Sequence, residues 1–205
     1  MPRPVGSKSR DTMKRPLRIL GFMALAIVVL AVLGIGFVYS GAYNVAATQG
    51  HTKPVEQVLR LLMVRSVSAH ARSVAVPADF SAKDRALAEK AVGHFEMMCR
   101  TCHGAPGRKP DPWQLYPPTP DLADALRAMR WTDAEVFWII KYGIKDTGMS
   151  AFGGSHTDDD LWALTALIRQ LESTTPEQYR AMVERHGVSL AQPREQGHIR
   201  HRSLR

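Results

Sequence analysis

The chain has 205 residues, enough for one modest globular domain with extensions, and its formal net charge is +8. Residues 80–172 carry 11 basic and 13 acidic side chains, so the basic excess lies in the flanking segments. This near-neutral centre argues against a nucleic-acid-binding protein. The only two cysteines are three positions apart, which excludes a disulfide framework because such a pair closes a very short loop.

An apolar run without charged residues extends from Ile19 to Val38. Its 20 residues are enough for a helix to cross the hydrocarbon core of a bilayer. Six basic residues and one acidic residue precede it, and Lys and Arg beside a membrane segment favour the cytoplasmic side. We therefore predict a basic cytoplasmic flank at 1–18 and a single transmembrane anchor at 19–40. The remainder would lie across the inner (cytoplasmic) membrane, in a bacterium in the periplasm.

A cleaved signal peptide is the alternative interpretation of the same run. The small residues at 40–42 resemble a signal peptidase site. The apolar core of a signal peptide usually has about 7–15 residues, however, which is shorter than this run. The anchor is therefore the preferred interpretation, and both interpretations export the rest of the chain.

Residues 43–79 form a connecting segment in which we predict one helix. Thr52 and Pro54 are typical of a helix start, and apolar residues follow at helical spacing to about Ala71. This helix would either pack against the main domain or bind a partner protein. The sequence leaves both interpretations open.

Apolar residues spaced three and four positions apart predict further helices in the rest of the chain. The first begins at a Ser81 cap and runs into Cys99, and the others cover 121–129, 132–143, 157–171 and 176–187. A proline-rich loop follows the first of these helices, where neither helix nor central strand fits. No segment alternates between apolar and polar residues, so we predict an all-α protein. Its main domain covers 80–172, and a C-terminal helix with a flexible basic tail covers 173–205.

The two cysteines belong to a Cys-x-x-Cys-His pattern made by Cys99, Cys102 and His103. This pattern is the attachment signature of c-type haem: both thiols form thioethers with the vinyl groups, and the histidine binds the iron. A zinc site needs four ligands with a second pair at set spacing, and a thioredoxin-like pair needs a βαβ setting. The sequence shows neither, so we predict one covalent haem c as the cofactor.

Met149 is the predicted second axial ligand of that haem. It lies in a loop bounded by glycines at 143, 148, 153 and 154, which allow the backbone to pass close to a flat cofactor. A thioether is a soft ligand that raises the reduction potential. His156 is the rival, and a vacant sixth position is the third possibility. The predicted iron ligands are therefore His103 and Met149.

These features resemble the class I cytochromes c, and more closely the membrane-anchored single-haem cytochromes of proteobacteria. The similarity is strongest over 80–172 and is carried by the segments 99–104, 116–122 and 143–153. It implies about four to five short helices around one covalent haem. It also implies that the carbonyl of Pro120 accepts a hydrogen bond from His103, which adds Pro120 to the expected cofactor-binding residues.

The sequence therefore indicates a one-electron carrier rather than an enzyme. Its expected partners are redox proteins of the respiratory chain and the membrane, with no nucleic acid. A fixed haem subunit of a membrane oxidoreductase is the first alternative. A haem sensor or enzyme with an open sixth position is the second.

Overall fold

The computed structural model describes residues 8–111 and 115–187. Regular structure in these residues is helical, and the single isolated bridge, between Ala105 and Arg108, belongs to no strand. The all-α prediction is confirmed, while the predicted tail at 188–205 lies outside the described residues. The helices are α1 (Lys8–Tyr39), α2 (Lys53–His70), α3 (Arg85–Lys90), α4 (Val92–Met98), α5 (Arg100–His103), α6 (Leu122–Met129), α7 (Asp133–Tyr142), α8 (Asp158–Leu171) and α9 (Pro176–Arg185).

Two compact units divide between Ala46 and Ala47, and the first contains α1. The stretch Arg18–Tyr39 has 22 residues, a mean hydropathy of 2.8 and no buried residue. It is long and apolar enough to cross a membrane, a property that a signal sequence near an N-terminus shares. The helix covers Lys8–Tyr39, so the part of the predicted basic flank from Lys8 to Arg18 is helical and continuous with the apolar stretch.

The second unit is built around α8, against which α3, α4, α6 and α7 pack. Buried alanines on the two helices in closest association, Ala88 in α3 and Ala166 in α8, leave room for a close approach. Trp162 stacks on Phe137 of α7 with ring centroids 4.3 Å apart. Burial of each large apolar side chain contributes about 1.5–3 kcal/mol. The large aliphatic side chains that α8 buries in the core are Leu161, Leu164, Leu167, Ile168 and Leu171.

The first helix of this unit starts later than predicted, and it is interrupted. The side chain of Asp84, not that of Ser81, caps it by accepting the Leu87 N–H at 3.1 Å. The Ser81 hydroxyl instead accepts the Lys83 N–H within a turn. At Ala91 the backbone N–H bonds to the carbonyl of Ala88, a tighter step that separates α3 from α4. Asp and Ser are about equally good N-cap residues, and here the helix starts after the Asp84 cap.

The predicted starts of α7, α8 and α9 are confirmed by complete capping boxes, whereas α2 begins at Lys53, after Thr52, without a side-chain cap. In each capping box, a threonine hydroxyl accepts a backbone N–H three residues on, and that residue's side chain returns a hydrogen bond to the threonine N–H. The pairs are Thr132 with Glu135, Thr157 with Asp160, and Thr175 with Gln178. Gly143 ends α7 as predicted, with a φ of 68°.

The helix α2 packs against α7 through its second half. Val67 is buried, as is Ala71 in the 3-10 turn that follows. The Ser68 hydroxyl donates to Glu135 at 2.5 Å, so one carboxylate serves both the α7 capping box and the α2 contact. The sequence-based interpretation of a helix packed on the domain describes this half of α2.

The helix α9 completes the core beside the Cys-x-x-Cys-His turn. Tyr179 and Val183 are almost fully buried, and the Tyr179 hydroxyl donates to Glu96 of α4 at 2.8 Å. Pro176 lies against Gly107, where an added Cβ would be 2.6 Å from the proline ring. The second compact unit therefore includes α9.

Replacing Glu135 with glutamine should weaken the contact between α2 and α7. Partial burial raises the pKa of Glu135, but hydrogen bonds from Ser68 and Thr132 outweigh burial, and the net pKa lies below the ordinary 4.5. The carboxylate therefore stabilises the fold fully above about pH 4.5 and loses this effect as the pH falls through its lower folded pKa. We expect Glu135→Gln to lower the free energy of unfolding by about 1–2 kcal/mol at pH 7.

The measurement is denaturant unfolding of the full chain in mild detergent, followed by tryptophan fluorescence at pH 7 and near pH 3. Glu184→Gln, at an exposed position in α9, is the matched control and should change little. The difference between Glu135→Gln and the wild type should shrink at the lower pH. An equal difference at both pH values would contradict this role of the carboxylate.

Candidate functional site

One turn of backbone brings the two cysteines and the histidine together. Phe95, fully buried in α4, accepts the Cys99 N–H, and the Cys99 carbonyl accepts the His103 N–H, both at 2.9 Å. The turn is therefore an extension of α4 whose position is set by the core. Cys99 is buried and Cys102 half-buried, and both are free thiols.

The Cys99 thiol is held in its protonated form. Burial, and secondarily the nearby Cys102, raise its pKa from 9.0 to about 12. The thiolate is the form that oxidises and exchanges disulfides, so a neutral thiol at this position resists both reactions. It keeps the S–H bond that adds across a carbon–carbon double bond when a thioether forms.

His103 is oriented by one backbone carbonyl. Its Nδ1 lies 2.9 Å from the oxygen of Pro120. Because a carbonyl can only accept, Nδ1 carries the proton and the lone pair is on Nε2. Burial lowers the pKa of the ring, while the contacts with Pro120 and Asp121 act in the opposite direction. The structure thus contains the hydrogen bond expected from the resemblance, and it presents a neutral imidazole with one nitrogen available to a metal.

Close packing and a hydrogen bond hold the loop that follows the Cys-x-x-Cys-His turn against that turn. Gly104 has a φ of 69°, and a Cβ there would lie 2.7 Å from the carbonyl oxygen of Arg108. Only glycine fits this position without strain. The Asp111 N–H donates to the Thr101 carbonyl at 2.8 Å. These contacts fix the start of the loop that later supplies Pro120.

A buried ionic cluster, which the sequence analysis did not find, lies beside the turn. Glu96, three residues before Cys99, is almost fully buried. Its carboxylate accepts two hydrogen bonds from Arg108, at 2.9 and 3.1 Å, as well as the one from Tyr179. The Nε of Arg100 lies 3.5 Å from the same carboxylate, an ion-pair distance without a hydrogen bond. A glutamate four residues before an arginine was the available sequence signal.

Met149 lies in a loop that folds back on the end of α7. The Ile144 N–H donates to the Met149 carbonyl at 3.1 Å, and a Cβ on Gly143 would lie 2.7 Å from that oxygen. The Thr147 hydroxyl accepts the Met149 N–H at 3.0 Å and donates to the Ile144 carbonyl. Backbone contacts therefore hold the loop in place, while the Met149 side chain is half-buried and available.

His156, the rival ligand, has other contacts. Its ring centroid lies 5.0 Å from that of His94 in α4. Its Nδ1 lies 2.9 Å from the Ser155 hydroxyl and 3.3 Å from the Phe152 carbonyl. These contacts engage one ring nitrogen and place the ring against His94, which makes His156 less available than the Met149 side chain.

A cleft of about 430 Å³ borders Cys102. Its walls come from the residues before α2 and from the proline-rich loop, and one of them, Leu115, also lies against Gly148 beside Met149. The cleft is lined by Ala47, Thr48, Cys102, Pro110, Asp111, Leu115, Pro118 and Thr119. Two free thiols, a free imidazole nitrogen, a thioether and a neighbouring cleft fit a covalently bound haem. In the described ranges, no three His, Cys, Asp or Glu side chains group closely enough to bind a bare metal ion.

Comparison with known proteins agrees with this chemistry. Residues 86–168 match the family model described as cytochrome c oxidase, cbb3-type, subunit III. This range contains the Cys-x-x-Cys-His turn, Pro120 and the Met149 loop. No curated protein and no solved structure matches the chain. The match over residues 86–168 is to a family of c-type cytochromes, and it implies haem-based electron transfer as the chemistry of this segment.

Proposed function

We propose that the chain is a membrane-tethered one-electron carrier with a single haem c. In this proposal Cys99 and Cys102 bind the haem covalently, and His103 and Met149 are its axial ligands. The observation that carries the proposal is the hydrogen bond from His103 Nδ1 to Pro120, since it leaves Nε2 free beside two protonatable thiols. The bound haem supplies a reversible one-electron change at its iron.

Covalent attachment would use the thiols of Cys99 and Cys102. Each S–H would add across one vinyl group, with a carbon–sulfur bond formed and the proton going to the other vinyl carbon. Electrons balance without an added oxidant. The two linkages then prevent a small domain from losing its cofactor.

The ligand pair suits a carrier because it leaves no position for a substrate. Pro120 sets the tautomer and orientation of His103, and such outer contacts strengthen a histidine ligand. The hydrogen-bonded loop around Met149 presents a thioether, a ligand that raises the reduction potential. Both groups are held by backbone contacts, so electron transfer would need little rearrangement of the protein.

The apolar stretch Arg18–Tyr39 supports the membrane tether, with 1–18 inside and the haem domain in the periplasm. Residues 43–79 would link the anchor to the haem domain, which the sequence analysis limits to 80–172. Redox proteins of a respiratory chain would be the partners. The family description, an oxidase subunit, favours a second candidate function: a permanently bound haem subunit of a membrane oxidoreductase.

Purification in mild detergent separates these two functions. A carrier should run as a haem protein of its own size, because carrier encounters are small and weak. Co-purification at fixed ratio with a larger complex that contains further haems would favour the subunit.

Replacing Cys99 and Cys102 with alanine should abolish covalent haem. The measurement is haem retained by the full chain after acid–acetone extraction, which removes haem that is not covalently bound. Met97→Ala is the matched control, since Met97 is exposed in the same segment, and it should keep the haem. Haem that resists extraction from the double alanine variant would refute the attachment site.

Replacing Met149 with alanine should lower the reduction potential and allow carbon monoxide to bind the ferrous protein at neutral pH. The identity of the axial ligands shifts the reduction potential of haem over a range of about 0.8 V. We therefore expect the reduction potential to fall by an amount on the order of 0.1 V or more. The measurements are a redox titration and the visible spectrum under carbon monoxide. His156→Ala is the comparison variant. A lower reduction potential and carbon monoxide binding in His156→Ala, but not in Met149→Ala, would identify His156 as the ligand.

A further inference from the structure

The first half of α2 has an apolar face that no described part of the chain covers. Val58, Leu59, Leu61 and Leu62 have 65%, 44%, 59% and 63% of their surface exposed. At 100° per residue these four positions lie within an arc of about 160°. We call this surface the α2 outer face.

Packing inside the second unit does not explain the α2 outer face. Val64 and Val67, which face the protein core, lie on the opposite side of the helix. In the second half of α2 the outward positions carry Arg65 and Ala69 instead of large apolar residues. The exposed leucines are thus a local feature of the second and third turns of the helix.

We propose that the α2 outer face docks on the surface of the membrane crossed by α1, by inserting its leucines among the lipid headgroups. This inference rests on the proposed tether. Only residues 40–52 separate the end of α1 from the start of α2. Thirteen residues span at most about 45 Å, so the start of α2 can be no farther than this from the end of α1 and is within reach of the bilayer surface. The tether thereby gives the lipid surface a high effective concentration at this face.

One basic side chain suits anionic lipid headgroups at the edge of the face. Arg65 lies on the same side of the helix as the exposed leucines, whereas Lys53 and Arg60 lie on the opposite side, where Arg60 donates to the sulfur of Met129 at 3.3 Å. An apolar helix face with a basic residue beside it is compatible with a helix that lies in the membrane interface. A protein partner is a poorer fit, because a stable interface takes about 20–30 residues a side and this face supplies four large side chains.

The experiment uses the full-length, haem-loaded chain in vesicles of phosphatidylcholine and phosphatidylglycerol. A nitroxide spin label at Leu62→Cys reports its surroundings, since haem attachment occupies the two native cysteines. We expect a severalfold rise in relaxation by oxygen and a severalfold fall in relaxation by a water-soluble nickel chelate. A label at Glu184→Cys, exposed on α9, is the matched control and should stay accessible to the chelate.

Three other outcomes would contradict the proposal, each for a different reason. A label at 62 that is as accessible to the chelate as the label at 184 contradicts docking while the tether stands. Spin–spin broadening at 62 shows that a second copy covers the face instead. Extraction of the chain from the vesicles by alkaline carbonate contradicts the tether, and docking with it.

A second labelled chain separates docking from folding. It carries the label at Val58→Cys together with Leu61→Ser and Leu62→Ser. These positions are exposed, so the haem spectrum should be unchanged. The label at 58 should become accessible to the chelate while the chain stays in the vesicles. A label that remains shielded there would show that the leucines do not cause the insertion.

Discussion

The hydrogen bond between His103 and Pro120 is the contact on which the site depends. It decides which imidazole nitrogen faces a metal, and it joins the Cys-x-x-Cys-His turn to the far end of the proline-rich loop. That loop is fastened at its start by Gly104 and by the bond from Asp111 to Thr101. The turn itself continues α4, whose Phe95 is fully buried. The orientation of one ring is therefore set by the helical core.

The ionic cluster around Glu96 connects the same turn to α9. A buried carboxylate is costly to desolvate, and its hydrogen bonds from Arg108 and Tyr179 compensate for that cost. Removing one partner would leave the charge uncompensated, so the cluster favours a single arrangement of α4 and α9. Arg100, within the attachment pattern itself, contacts Glu96 on one side and Asp111 on the other. Positive side chains are thus held close to the cysteines by the fold.

Local signals were sufficient where the chemistry is local. The attachment pattern spans five residues, so spacing alone predicted it. The helix starts near Thr132, Thr157 and Thr175 were also predicted from the sequence, and the structure adds that each is a complete capping box. The start at Ser81 was wrong because two acceptors lay within four residues and Asp84 took the cap. Contacts between residues far apart in the sequence could not be predicted from spacing. Glu96 and Tyr179, for example, are 83 positions apart. The helix α2 has apolar residues on two sides, and their spacing in the sequence does not show which side is buried. Only the packing in the structure shows this.

The central claim is that one chain supplies both axial ligands of a covalent haem, with sulfur opposite His103. The most direct test is the visible spectrum of the oxidised, haem-loaded full chain at neutral pH. The account predicts the weak long-wavelength charge-transfer band that arises from a bond between sulfur and ferric iron. Absence of this band from the wild-type spectrum would contradict the account, because the sixth position would then hold a nitrogen ligand or stay open.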